Sequence, residues 1–308
     1  MSTVESLLAE LGLPTADLPD NPPSDFRFDE GTHARIEIPS VEGPEALQTV
    51  VQEAAQRGLP LHRVSQGSGI MLLTDDDVRE MARIGAEHNV EVCLFVGPRA
   101  PWEGTAQALT PDGKLFGWRH TGMDQLKYGF EDVERAVELG IRSVLVADEG
   151  LTYLIGEARK RGNLPADLVV KGSALLGAAN PLGIKLLADA GMDTINVASD
   201  ASCPRLAALR AVVPIPIDLY IESPDGMGGF TRYHELPDIV RVAAPVHLKF
   251  GLRNAPNIYP SGIHLQPAAV ATARERVRRA AIGLELLQRK APELVPAAPA
   301  GGRGVPVA

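Results

Sequence analysis

The chain has 308 residues with 45% hydrophobic and 22% charged side chains, 30 Gly, 25 Pro and two Cys. That composition excludes collagen, coiled coils and wholesale disorder, and two cysteines are too few for a disulfide framework or a Cys-built cluster. The net charge of -9 argues against a general nucleic-acid surface, though a local basic pocket stays compatible with it.

In chain order, residues 1–32 read as a lead-in: a short amphipathic helix from Val4 to Leu11, then the helix-breaking DLPDNPPSD. The N-terminus has no basic leader, and no apolar run reaches the roughly 18 residues that span a bilayer. A reducing, cytoplasmic setting with no membrane and no nucleic-acid partner is therefore expected. From residue 33, short β-branched runs alternate with helical patterns. ARIEIPS precedes a helix from Gly43, LHRVSQG precedes TDDDVREMARIGAEHN, and Thr74 there suits an N-cap with acids in the first turn. VEVCLFVG, SVLVADEG, LVVKGS, TINVASD, PIDLYIES and VHLKFG each lead into a further helical stretch. Gly58, Gly140, Gly162 and Gly191 close helices as left-handed C-caps.

Eight strand–helix units call for parallel strands under an outer helix layer, and eight close naturally into a barrel. A doubly wound open sheet is the rival, but it gives no reason for the number eight. The predicted fold is α/β, a single (β/α)8 TIM-like barrel over 33–291, with a flexible tail at 292–308 that ends in PAAPAGGRGVPVA. One unit is oversized: some 30 residues after the third strand carry Trp102, Trp118, Arg119 and His120. Long loops in compact domains are usually functional, so this one reads as a lid, or alternatively as an oligomer contact.

Side chains alternate across a strand, so each strand sends one set to the helices and the other into the lumen. The inward set reads Arg35, Glu37, Arg63, Ser65, Lys171, Asn196, Asp218, Tyr220, Glu222, His247 and Lys249, with Glu149 at the end of the fourth strand. A purely structural barrel fills this space with Val, Ile and Leu. Buried charges are costly unless they are paired or meet a ligand. They can form a self-satisfying network, but their concentration near strand C-termini favours a polar active site. Lys171 and Lys249 suit anion binding or, if desolvated, imine or base chemistry. Glu37, Glu149 and Glu222 supply acid/base groups, and Glu37 with Glu222 suits a proton-transferring pair or a divalent metal. Arg35, Arg63, Asn196, Tyr220, His247, Arg253 and Asn254 complete the binding set, because Arg grips a carboxylate or phosphate bidentately. No HExxH, GxSxG, GxGxxG or GxxxxGK[ST] occurs, so no specific cofactor or metal is expected beyond that divalent option.

The stretches VVKGSALLGAANPLGIKLLADAGMDTINVASD (169–200), PIPIDLYIESPDG and HLKFGLRNAPNIYPSG resemble the peptidase U32 family over about 100 residues. The shared pattern is a strand, Asn180 at a helix start, an "AG" helix end and a strand closing on Asp200. The resemblance implies a TIM-like barrel. It also implies a family with diverse activities: proteases, RNA modification, and oxygen-independent hydroxylation on an iron–sulfur cluster. The family's cysteines are missing here, including the one expected where IESPDG stands, which removes the cluster-based reading. The expectation is a barrel enzyme of lyase or hydrolase type acting on a small anionic, carboxylated metabolite, with a homo-oligomer compatible. The alternatives are a U32-like peptidase or amidase, and a non-catalytic U32-like scaffold subunit.

Overall fold

The computed structural model describes residues 2–98 and 106–307, with Leu115 and Phe116 by their backbone alone. Eight strands form one closed parallel barrel in chain order: β1 Ala34–Pro39, β2 Arg63–Ser65, β3 Glu91–Phe95, β4 Ser143–Val146, β5 Val169–Gly172, β6 Thr194–Asn196, β7 Ile217–Glu222 and β8 Val246–Phe250. The lead-in helix α1 is Thr3–Glu10. The barrel helices follow as α2 Pro44–Gln56, α3 Asp75–Glu87, α4 Gly122–Glu138, α5 Glu149–Lys160, α6 Pro181–Asp189, α7 Cys203–Arg210, α8 Leu236–Ala243 and α9 Gln266–Lys290. The single (β/α)8 barrel expected from the sequence is the fold. Among the described residues no helix is long and apolar enough to cross a membrane.

The helix starts have local causes. Thr74 and Asp77 form a reciprocal capping box, and Asn180 Oδ1 accepts from Gly183 N at 2.9 Å. Gly140 at φ 97° turns the end of α4 into β4, a backbone angle that L side chains rarely adopt. Ile36, Ile38, Val64, Leu94, Val144, Val170, Ile195, Leu219, Leu248 and Phe250 are buried in one core between sheet and helices. Gly283 lets α9 lie close on β8, because a Cβ there would stand 2.7 Å from the Phe250 ring.

Both chain ends seal the N-terminal side of the barrel. Ser24 N donates to Arg241 O at 2.9 Å, and Phe28 packs edge-on to His247 at 4.9 Å between ring centres. Residues 292–307, set apart by composition as a flexible tail, make contacts with the barrel. Leu294 is buried, Arg303 pairs with Asp193 at 2.9 Å, and Val307 N donates to Gly140 O at 2.9 Å. The barrel's underside offers this low-complexity segment partners. Removing residues 296–308 is expected to lower the thermal midpoint by roughly 5 °C, measurable by calorimetry; an unchanged midpoint would mean these contacts carry nothing.

Candidate functional site

Strand register sets the inward residues side by side: Glu37 lies level with Arg63 and Lys249, Asp218 with His247 and Asn196, and Tyr220 with Lys249. They sort into two layers of different character.

The lower layer is sealed. Arg63 lies 2.8 Å from Glu91 Oε2, 3.0 Å from Asp218 Oδ1 and 3.4 Å from Glu37 Oε2. Lys171 Nζ donates to Glu37 Oε1 and stands 3.7 Å from Asp218 Oδ2, with no exposed surface. Thr194 Oγ1 donates to Asp218 at 2.8 Å, and Ser143 Oγ to Glu91 at 2.6 Å. Burial pushes the Glu37 carboxyl up, but Lys171, Lys249 and Arg63 more than reverse this and hold it at about 2. Asp218 is likewise held well below the usual carboxylate range: burial raises it, and Lys171 and Arg63 override burial. Burial pushes His247 down to about 4, so it is neutral at pH 7. Arg63, Lys171 and Lys249 thus balance Glu37, Glu91 and Asp218, charge for charge.

The upper layer opens into a cavity of about 590 Å³ at the C-terminal mouth, bordered by residues from all eight strand–loop units. Its polar floor is Lys249, Asn196, Tyr220 and Ser65. Lys249 Nζ donates to Asn196 Oδ1 at 2.5 Å, lies 3.5 Å from Glu37 and sits 4.2 Å above the Tyr220 ring. Asn196 is oriented by donating from Nδ2 to Gly172 O at 2.7 Å. Ser65 Oγ donates to Glu37 Oε1 at 2.5 Å. Burial and the Glu37 charge push the Tyr220 hydroxyl up to about 12. Phe95, Trp118, Leu145, Leu175 and Ile258 make apolar walls, and Arg276 of α9 adds a second cation.

The structure brings together Glu37, Arg63, Lys171, Asn196, Tyr220 and Lys249 and separates the rest of the expected set. Arg35 does alternate inward, but at the N-terminal end, where it pairs with Glu30 at 2.7 Å and covers Phe28. His247 lies at that same closed end against Phe28. Glu149 is exposed at the start of α5 and pairs with Arg119 at 2.9 Å. Strand β4 has ended at Val146, so alternation no longer governs it, and neighbouring Asp148 caps the helix by accepting from Leu151 N at 2.7 Å. Glu222 is turned out of the lumen by a register shift between Tyr220 and Glu222. It accepts from Tyr233 Oη at 2.7 Å and Arg253 N at 3.0 Å and lies 3.4 Å from Arg279 on α9. The expected Glu37–Glu222 pair is thereby undone. Arg253 and the Asn254 backbone are held by exposed Asp225, and neither side chain borders the cavity. Among the described residues no group of three or more His, Cys, Asp or Glu stands where it could hold a metal.

In the long segment after β3, Trp102 lies outside the described residues. Trp118 borders the cavity with its ring edge-on to Phe95 at 6.3 Å. Arg119 donates to Ala147 O at 2.8 Å and Leu175 O at 3.3 Å, tying the segment to the β4 and β5 loops. His120 N donates to Asp148 at 3.0 Å.

Sequence reasoning missed Arg276, Glu91 and the central position of Asp218. Arg276 sits on the helical stripe of Ala269, Ala273, Val277 and Ala280, all buried, and an arginine on such an apolar stripe was a readable signal. Glu91 alternates with Cys93 and Phe95 on one strand face, as the other lumen residues do.

These features define a (β/α)8 barrel with a cation-bearing cavity at its C-terminal mouth. The sequence matches no family model and no curated protein. Solved structures similar to it include a U32 peptidase, at 16% identity over 70% of this chain and 78% of that one, TM-score 0.42. A lyase/mutase candidate from Burkholderia cenocepacia J2315 shares 12% identity over 85% and 84%, TM-score 0.46. 2,3-Dimethylmalate lyase, a member of the PEP mutase/isocitrate lyase superfamily, shares 14% over 81% and 84%, TM-score 0.44. Each of these scores is below 0.5, and the fold assignment rests on the closed sheet itself.

Proposed function

We propose that this chain is a barrel enzyme of lyase type, related to the U32 barrels, that acts on a small carboxylated metabolite. The observation that carries the reading is Lys249: among the described residues it is the one lysine of the lumen that borders the cavity, and it is fixed there by Asn196, Glu37 and Tyr220. A preorganised cation on a polar floor between apolar walls stabilises negative charge as it develops on a substrate oxygen. Glu37, held near 2, serves as the fixed counter-charge of that cation and not as a proton carrier. Tyr220, held near 12, keeps its proton at neutral pH and is the acid on this floor. The described part of the long segment, from Ala106 to Thr121, covers one side of the mouth through Trp118 and Arg119 and is the lid of this reading.

The peptidase or amidase alternative has one observation in its favour: Ser65 borders the cavity and donates to Glu37. A carboxyl held near 2 is a poor base for a serine proton, so the lyase reading stands first. The scaffold alternative is favoured only by the complete pairing of the lower layer. It gives no role to Lys249 at an open mouth.

The test is a mass-spectrometric turnover screen of the whole chain against carboxylated metabolites, run beside Lys249→Met. The variant is expected to lose about 10²–10³-fold in kcat/KM. Equal rates in the two proteins would overturn the assignment.

A further inference from the structure

A second cation borders the same cavity and, among the described residues, makes no ion pair. Arg276 is 4% exposed, and its Nη1 reaches Ser40 O and Thr272 Oγ1 only at 3.3 Å. Its Nε has no hydrogen-bond partner, and among the described residues no carboxylate lies within 4.0 Å of it. Glu42, the acid on the neighbouring loop, acts on Arg276 only through space; its oxygens accept from Gly67 N at 2.7 Å and Ser68 N at 3.2 Å. The Tyr259 hydroxyl is also engaged, donating to Ser40 Oγ. Every lumen cation below is matched by a carboxylate, so Arg276 stands apart as a buried positive group facing open space. A fold rarely keeps such a group without a partner.

We propose that Arg276 is the anchor for the carboxylate of the ligand, and that the ligand is a monocarboxylic acid with an apolar body and a second oxygen that reaches Lys249. This rests on the reading of the cavity as a metabolite site and adds the substrate class. The apolar body follows from the cavity's apolar walls, among them Phe95, Trp118, Leu145 and Ile258. A carboxylate fits better than a phosphate. Among the described residues the wall offers one guanidinium, and the nearby backbone N–H groups of Gly67 and Ser68 already serve Glu42. The planar fork of Arg matches a carboxylate with two parallel bonds. Burial lowers the Arg276 pKa, and the nearby Glu42 and tyrosines only partly offset it.

The test is calorimetric titration of the full chain with 3-phenylpropanoate, phenylpyruvate, their methyl esters and inorganic phosphate. Both acids are expected to bind, and the esters and phosphate are not. Arg276→Met is expected to weaken both acids by roughly 10–100-fold while its unfolding midpoint stays level or rises, because an unpaired buried charge is removed. Arg276→Lys keeps the charge without the fork and is expected to fall between the two. Lys249→Met is expected to weaken phenylpyruvate but leave 3-phenylpropanoate unchanged. Acid binding kept in Arg276→Met, phosphate binding as well as the acids, or no acid binding to the native chain would each overturn the inference. If Arg276→Met alone behaves as the native chain, the enzyme reading survives without this anchor. If Lys249→Met keeps full turnover while Arg276→Met loses the acids, the anchor stands and the catalytic reading falls.

Discussion

Lys171→Met is expected to cost about 3–5 kcal/mol of folding stability, the range for removing one partner of a buried ion pair. Methionine nearly fills the same volume, so the loss reports charge and not a cavity. Lys171 has no exposed surface and does not border the cavity; its ammonium is spent on Glu37 and Asp218. Without it the lower layer holds three carboxylates against Arg63 and Lys249 in a space that water does not reach. Urea unfolding reads the effect as a lower midpoint at an unchanged slope. The double variant Lys171→Met with Glu37→Gln restores the charge balance, and it is expected to recover much of the loss. If Lys171→Met is as stable as the native chain, the lower layer is not the framework described above, and Lys171 returns as a candidate for chemistry.

Acid is the second large effect. His247 ordinarily titrates near 6.5, but burial holds it at about 4, so the folded chain refuses a proton that the unfolded chain accepts. The neutral ring therefore contributes its full stability above pH 6.5, and that stability is lost as pH falls from 6.5 to 4. The amount is on the order of 3 kcal/mol. His62, which burial pushes down to about 3, adds to the same loss. Glu37, depressed from 4.5 to about 2, supports the fold above pH 4.5 and gives this up between 4.5 and 2. Asp132, lifted by burial to about 6, has the opposite sign and softens the slope between 6 and 3.8. The native chain is expected to lose stability steadily below pH 6.5. His247→Asn is expected to flatten the stretch from 6.5 to 4, whatever its stability at neutral pH. Parallel pH profiles for the two proteins, followed by urea midpoints, would show that His247 does not carry the effect.

Much of this molecule was legible along the chain. The eight strand–helix units and the inward set on β1, β2, β5, β6 and β8 follow from a period of two with apolar residues on the other face, and the structure reproduces them. Where the reading failed, the failure has a local cause. Glu222 left the lumen because a single register shift reverses every later side chain on β7. Glu149 left it because β4 stops at Val146, beyond which alternation has no meaning. Arg35 and His247 do face inward, but alternation gives a face and not a depth, and both lie at the closed end.

The sequence by itself determined the barrel and the polarity of its interior, because strand periodicity and the count of units are properties of the chain taken locally. Only the tertiary structure decided which of those charges stand in the cavity and which lie sealed beneath it. That depends on where eight separate strands place their residues along a common axis. It also depends on a helix more than 200 residues downstream of β1 delivering Arg276 to the mouth. Burial and pairing are sums over neighbours distant in sequence, and so they separate Lys171, a structural counter-ion, from Lys249, which borders the open space.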